Sequence, residues 1–327
     1  MRALVYTGPG SLELRAVPEP TPDEGDVLIE VAACGICGSD MHAYHGHDER
    51  RPAPLVLGHE AAGTIIQGPH AGTRVAVNPL VTCGRCDYCR SGRDNLCPFR
   101  QIISMQPRPG AFAERLAIPA ANCTAVPDGT PLEIGALVEP LACGWHAVRI
   151  AARVLGRPVG GLDALVIGGG AIGVGAALAA RAHGAHPTIV EPHQGRRSRL
   201  EALRGVTVAG SPPDRSYPLI LDAVGNEATR RTAFSAAAPG GAIIHIGLGS
   251  AAGGMDARRA TLQEISFTGT YTYTAQDFRD TAEALFTGRL GPANWHETRP
   301  LEDGPETFRA LGAGQVNASK IILRIKE

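Results

Sequence analysis

The sequence predicts an α/β protein in two parts: a β-rich first third, then a doubly wound parallel sheet, with mixed structure resuming near the C-terminus. Three observations carry this prediction. Short alternating or apolar runs, punctuated by Pro and Gly, fill the first third. From Leu141 onward, strands alternate with helical stretches, the pattern of βαβ units around a parallel sheet. A glycine-rich segment, Leu165-Val-Ile-Gly-Gly-Gly-Ala-Ile-Gly173, follows one of those strands and opens a helix.

Taken in order, residues 3–6, 27–33, 63–66 and 74–77 read as strands of a barrel-like region. Residues 141–154 read as a helix, 164–167 as a buried strand, 172–183 as an Ala-rich helix and 188–190 as a second strand. Strands are expected at 219–223, 242–246 and 265–270, with a helical stretch at 227–238 between them. Helices at 275–287 and 302–311 and a closing strand at 321–325 complete the chain. No internal repeat is visible.

At roughly 100–200 residues per domain, 327 residues suggest two domains and a core that needs no disulfide staples. The 41 glycines and 25 prolines are about a fifth of the chain, below the level of low-complexity sequence. A net charge of −1, without a run of like charges, offers nothing to nucleic acid or to an anionic membrane. Lysine occurs only at Lys320 and Lys326. This excludes a P-loop nucleotidase, an internal Schiff-base lysine and a Tyr/Lys dyad. The N-terminus runs straight into a strand pattern with no signal segment, which argues for a reducing cytoplasm in which clustered thiols bind metal. The longest uncharged run, 164–180, contains three consecutive glycines and reads as strand and turn rather than as a membrane span.

Four constellations carry chemistry. Cys83-x2-Cys86-x2-Cys89-x7-Cys97 places four thiolates within fifteen residues, enough to close tetrahedrally around a structural Zn²⁺. A [4Fe–4S] cluster and a redox dithiol are the alternatives, and the spacing exceeds what a redox pair needs. The second comprises Cys37-Gly-Ser39-Asp40-x-His42, then His59-Glu60, and far downstream Glu139. A catalytic zinc takes ligands from separate segments and keeps one position open, so Cys37, His59 and one of the two carboxylates could hold it. The bland reading makes His59 and Glu60 a strand-edge pair and Cys37 a buried thiol. The third is the dinucleotide fingerprint, Gly168-x-Gly170-x-Ile172-Gly173, with Glu191 eighteen residues on at the end of the next strand. A carboxylate there accepts ribose hydroxyls and repels a 2′-phosphate, favouring NAD over NADP, although Arg196 and Arg197 follow closely. The fourth, Tyr271 and Tyr273 at a strand end, suits packing better than a substrate cleft.

Together these residues resemble the zinc-dependent medium-chain dehydrogenases, in particular the sorbitol, threonine and polyol branch. The resemblance covers nearly the whole chain and rests on Cys34-Gly-Ile-Cys-Gly-Ser-Asp, Gly58-His-Glu, the four-Cys lobe, Val138-Glu-Pro-Leu, the glycine fingerprint and Asp222-Ala-Val-Gly. It implies a GroES-like catalytic domain over 1–140 and 271–327, with a structural zinc lobe at about 82–98, and a Rossmann NAD-binding domain over 141–270. A homodimer or homotetramer is implied. Two zinc ions per chain are expected, one in the lobe and one catalytic. Cys37 and His59 match the first two catalytic ligands. Glu139 stands where other alcohol dehydrogenases have a cysteine, and Glu60 can take or share the coordination. Ser39 matches the relay hydroxyl, passing a proton through the NAD ribose toward His42, while Asp40 orients the shell. Cys34 packs. Gly168, Gly170, Ile172, Gly173, Glu191 and Arg196 form the cofactor site.

The implied reaction moves a hydride from a secondary alcohol, on a polyol, sugar alcohol or cyclitol, to NAD and yields a ketone. A threonine-type amino-alcohol dehydrogenase is the alternative. A non-catalytic NAD-binding zinc protein is the remaining reading, and the joint presence of Cys37, His59, Glu60, Ser39 and His42 argues against it. Three departures from the family pattern stand out. The loop after Gly63 is trimmed, no helix is expected between Gly205 and Asp222, and the arginine-tyrosine pair of sorbitol dehydrogenase is only half present at Thr272-Tyr273, which disfavours sorbitol itself.

Overall fold

The computed structural model describes residues 1–326. It divides the chain into two compact units. The first contains Met1–Glu139, Thr274–Phe286 and the chain from His296 onward; the second contains Pro140–Tyr273 and Thr287–Trp295.

The first unit starts with ten short strands: β1 (Arg2–Gly8), β2 (Ser11–Ala16), β3 (Asp26–Gly35), β4 (Leu55–Val56), β5 (Glu60–Gln67), β6 (Arg74–Val77), β7 (Leu80–Val81), β8 (Gln101–Ile102), β9 (Arg115–Pro119) and β10 (Cys123–Ala125). Three short helices, α1 (Gly38–Tyr44), α2 (Asp87–Arg90) and α3 (Leu132–Ala136), interrupt or follow them. β3 is the hub, antiparallel to β5 along one edge and to β9 along the other. Its inward residues Val27, Ile29, Val31 and Cys34 join Ile65, Val75, Leu116 and Ile118 in one buried cluster. Removing apolar surface from water is what drives these faces together. The stretch after Gly63 lies within β5 up to Gln67, and residues 68–73 connect it to β6.

The second unit is an α/β sheet. α4 (Val138–Leu155) begins at the boundary, and α5 (Ala171–Ala182), α6 (Gln194–Leu200), α7 (Glu227–Ala236) and α8 (Ala257–Gln263) alternate with β11 (Asp163–Ile167), β12 (His186–Val190), β13 (Thr207–Ala209), β14 (Tyr217–Asp222), β15 (Ala237–His245) and β16 (Ser266–Gly269). The order β13-β12-β11-β14-β15-β16, parallel throughout, is that of a doubly wound dinucleotide-binding sheet. No helix forms between β13 and β14, where Pro212 and Pro213 withhold two backbone donors. The helix expected over 227–238 stops at Ala236, and its last two residues instead open β15. The uncharged run 164–180 splits between β11 and α5, and no described helix is long and apolar enough to cross a membrane.

The chain then returns to the first unit through α9 (Ala275–Phe286), β17 (His296–Pro300), α10 (Gly304–Gly312) and β18 (Lys320–Arg324). Thr287–Trp295, expected with the catalytic part, belongs to the second unit. Arg181 donates to the Arg289 carbonyl (3.2 Å), and the Arg289 guanidinium lies over the Trp145 ring. β18 lies antiparallel to the end of β3, pairing Ile322 with Gly35 and Leu323 with Cys34. That pairing brings the C-terminus to the candidate site.

Candidate functional site

Leaving β3, the chain turns at Gly35 and enters α1 with Cys37 at its N-cap. Asp40, fully buried, accepts the Cys37 N–H with one carboxylate oxygen (2.9 Å) and the Gly58 N–H with the other (3.2 Å). One side chain thus ties the first turn of α1 to the bend that carries His59 and Glu60 into β5. A Cβ at Gly35 would lie 1.9 Å from a Glu60 carboxylate oxygen, so any other residue here would push that carboxylate aside. Donor atoms of Cys37, His59 and Glu60 all lie within 4.8 Å of one another.

The oxygens beside His59 decide which nitrogen it presents. Nδ1 faces an Asp40 oxygen at 3.5 Å and Ser104 Oγ at 3.4 Å, so Nε2 is the nitrogen that could hold a metal. Burial disfavours a charged imidazole, yet Asp40 and Cys37 raise the His59 pKa well above its ordinary value. Burial likewise opposes the Asp40 carboxylate, and His59 holds it below the ordinary range. Sulfur, nitrogen and oxygen donors that converge this closely fit a zinc ion. Ser39, half-buried, and His42, exposed, follow Cys37 on α1. Cys34 is fully buried, its thiol pushed well up mainly by burial, and it packs in the core.

The structure adds Lys320, to which the sequence reading gave no role. Its ammonium, buried with the Glu60 carboxylate, donates to both Glu60 oxygens (2.6 and 2.7 Å) and to the Ile36 carbonyl (2.8 Å). Burial alone would lower the Lys320 pKa; Glu60 foremost, with Cys37 and Glu139, raises it. Glu139 is buried in the first turn of α4 and stands outside the three-donor group. The only hint in the sequence was that Lys320 is one of just two lysines.

Cys83, Cys86, Cys89 and Cys97 also converge within 4.8 Å. Cys86 Sγ lies 3.5 Å and Cys83 Sγ 3.9 Å from Cys89 Sγ. These spacings exceed a disulfide bond of about 2.05 Å and match the ~3.8 Å edge of a tetrahedron with ~2.3 Å zinc–sulfur bonds. Backbone N–H groups of Arg85 and Cys86 bring Cys83 down to about 6, while burial and its thiol neighbours push Cys89 up to about 12. Cys83 thus forms a thiolate readily while Cys89 resists it, and a cation bound among the sulfurs would favour the Cys89 thiolate. Asp94, between the last two cysteines, accepts the Ala275 N–H at the start of α9 (2.8 Å).

In the second unit, Gly168 adopts φ +102° and the backbone passes so close that a Cβ on Gly173 would lie 1.8 Å from the Gly168 carbonyl. Gly170 is the N-cap of α5, and Ile172 sits in its first turn. The four N-terminal N–H groups of such a helix form an anion site. Glu191, buried at the end of β12, accepts the Gly169 N–H (3.1 Å) and the His193 N–H (2.9 Å). Arg196 donates to the same carboxylate (3.1 Å), and Arg197 donates to the carbonyls of Glu191 and Pro192. Tyr273 is fully buried and Tyr271 partly so.

Residues 23–128 match the family described as alcohol dehydrogenase GroES-like domain, and residues 171–287 match zinc-binding dehydrogenase. The chain is 34% identical over 272 residues to sorbitol dehydrogenase of Bacillus subtilis, covering 76% of each chain. It is 31% identical over 308 residues to L-galactonate-5-dehydrogenase of Escherichia coli, covering 89% of this chain and 88% of that one. Acetophenone reductase from Geotrichum candidum, solved in complex with NAD, has a TM-score of 0.88 at 28% identity over 99% of this chain and 97% of its own.

Proposed function

Because the chain belongs to the zinc-binding alcohol dehydrogenases with a GroES-like domain, we propose that it oxidises a secondary alcohol of a polyol, sugar alcohol or cyclitol to the ketone, with NAD as hydride acceptor. The observation that carries this is the convergence of Cys37, His59 and Glu60 around a pocket in which His59 Nε2 is left for a metal. Zinc held there supplies a Lewis acid that lowers the pKa of an alcohol, and NAD supplies the two-electron acceptor. Three protein ligands would leave room at a bound zinc for the substrate oxygen. Cys37 and His59 supply two of the ligands, and Glu60 or Glu139 the third. Asp40 holds α1 and the His59 bend together and keeps the His59 proton on Nδ1.

Ser39 Oγ would accept the proton of the substrate hydroxyl as it hands its own proton on toward exposed His42, three residues on, which would release it to water. Ser39→Ala is expected to lower kcat by about 10²-fold, with zinc content and NAD affinity near wild type. His42→Ala should cost less, because water replaces a surface shuttle. Equal losses in steady-state assays would refute that ordering.

The four-Cys lobe takes a second, structural zinc. Glu191 favours NAD over NADP, since its buried carboxylate meets ribose hydroxyls and repels a 2′-phosphate; Arg196, already paired with that carboxylate, is not a free phosphate receptor. Exposed Leu248, just after β15, and Leu262, in α8, both come before edge strand β16 in the sequence and support a homodimer or homotetramer. Thiols kept free for metal suit a reducing compartment, the cytoplasm.

The test combines elemental analysis with NAD reduction on a panel of polyols, sugar acids, cyclitols and threonine. Close to two zinc atoms per chain, turnover of one panel class and a preference for NAD are expected. One zinc without turnover would defeat the catalytic reading.

A further inference from the structure

Ser104 has a backbone conformation that serine rarely adopts. It occupies the third position of the turn Ile102–Met105, closed by Met105 N–H donating to the Ile102 carbonyl (3.2 Å). Its φ is +68°, in the left-handed region that favours glycine at such a position. Three other described non-glycine residues share a positive φ, namely His70, Glu264 and Thr272; of the four, only Ser104 is buried, with no exposed surface. Burial removes water as the reason for a hydroxyl there. The hydroxyl points instead at His59 Nδ1, 3.4 Å away, the nitrogen that also faces Asp40. The backbone that places it is clamped from behind: buried Arg51 donates through Nε to the Ser104 carbonyl (3.1 Å) and is itself paired with Asp48.

We propose that Ser104 is a positioning residue for the metal-ligand imidazole: its hydroxyl shares the Nδ1 proton of His59 with Asp40 and holds the ring with Nε2 toward Cys37 and Glu60. The inference rests on the reading of His59 as a zinc ligand. With only Asp40 beside Nδ1, the ring could swing in the plane defined by that single contact; a second oxygen on the same nitrogen fixes its orientation. The left-handed backbone is then strain retained for the sake of that contact, in keeping with the tendency of such outliers to cluster where geometry serves function. Outer partners of metal-bound histidines tune affinity by about 10–100-fold, and with Asp40 still present the lower end is expected here.

The test is the rate at which the zinc-loaded protein loses metal to EDTA, followed by elemental analysis, alongside Tm. Ser104→Gly removes the hydroxyl together with the backbone penalty. One zinc per chain should leave about tenfold faster than in wild type, the lobe zinc should leave at an unchanged rate, and Tm should hold or rise by about 2 °C. Ser104→Ala, which keeps the penalty and loses only the hydroxyl, should release zinc as fast as the glycine variant. A wild-type release rate in either variant would overturn the inference. So would faster release accompanied by a lower Tm in the glycine variant, which would make Ser104 a packing residue. A wild-type protein holding a single zinc, all of it slow to leave, would defeat the metal-centre reading and this inference with it; two zincs with unaltered release in the variants would defeat this inference alone.

Discussion

His59→Ala should lower kcat/KM by about 10³-fold or more and reduce the zinc content from two atoms per chain to one. The Lewis acid at the alcohol contributes several kcal/mol to the transition state, and each ~1.4 kcal/mol is a factor of ten in rate. Only Cys37 and the carboxylates would remain as donors, and Glu60 is already engaged by Lys320. The fold should survive. Asp40 loses its imidazole partner but keeps the Cys37 and Glu60-side contacts through backbone N–H groups of Cys37 and Gly58, so the stability loss should stay near ~1–3 kcal/mol. A variant that retains two zinc atoms, or whose kcat/KM falls by less than about tenfold, would remove His59 from the metal centre.

Lys320→Met should cost as much stability as truncating a large side chain in the core. The Lys320 and Glu60 side chains are 3% and 0% exposed, so the pair lies outside the reach of solvent screening. Deleting one partner strands the other as an uncompensated buried charge, at a cost of about 3–5 kcal/mol. At roughly 2–4 °C per kcal/mol for chains of this order of size, Tm in the presence of EDTA should fall by about 10 °C. The Ile36 carbonyl also loses its donor. Added zinc should restore part of the loss in the variant, because a freed Glu60 can turn its negative charge to the cation. Lys320→Arg, which keeps the charge, should lose less. A Tm within about 2 °C of wild type in EDTA would show that the Lys320–Glu60 pair does not carry this stability.

The lobe and the dinucleotide turn were legible because each is local. Four cysteines within fifteen residues cannot be far apart, and a strand, three glycines and a helix start form a single turn whose shape follows from its own φ angles. Cys37, Ser39, Asp40 and His42 likewise share one short helix, so their adjacency was implicit in their spacing. The alternation of strands with helices was enough to expect the second sheet, and the prolines at 212–213 to expect its missing helix. Where the chain packs on itself at a distance, spacing was silent. The placing of 287–295 in the second unit turned on contacts of Arg181 and Trp145 more than a hundred residues away.

The chain by itself thus determined which residue types are available and every arrangement confined to one turn or one loop. Which carboxylate is paired, and with what, was decided only by tertiary structure. Lys320 reaches Glu60 across 260 residues because β18 and β5 flank β3 in one sheet, and Ser104 reaches His59 because a turn forty-five residues later folds back beneath it. The physical reason is that local geometry follows from the chain's own dihedral angles, whereas long-range register is settled by burying apolar faces, and polar side chains find their partners only after that burial has set the distances.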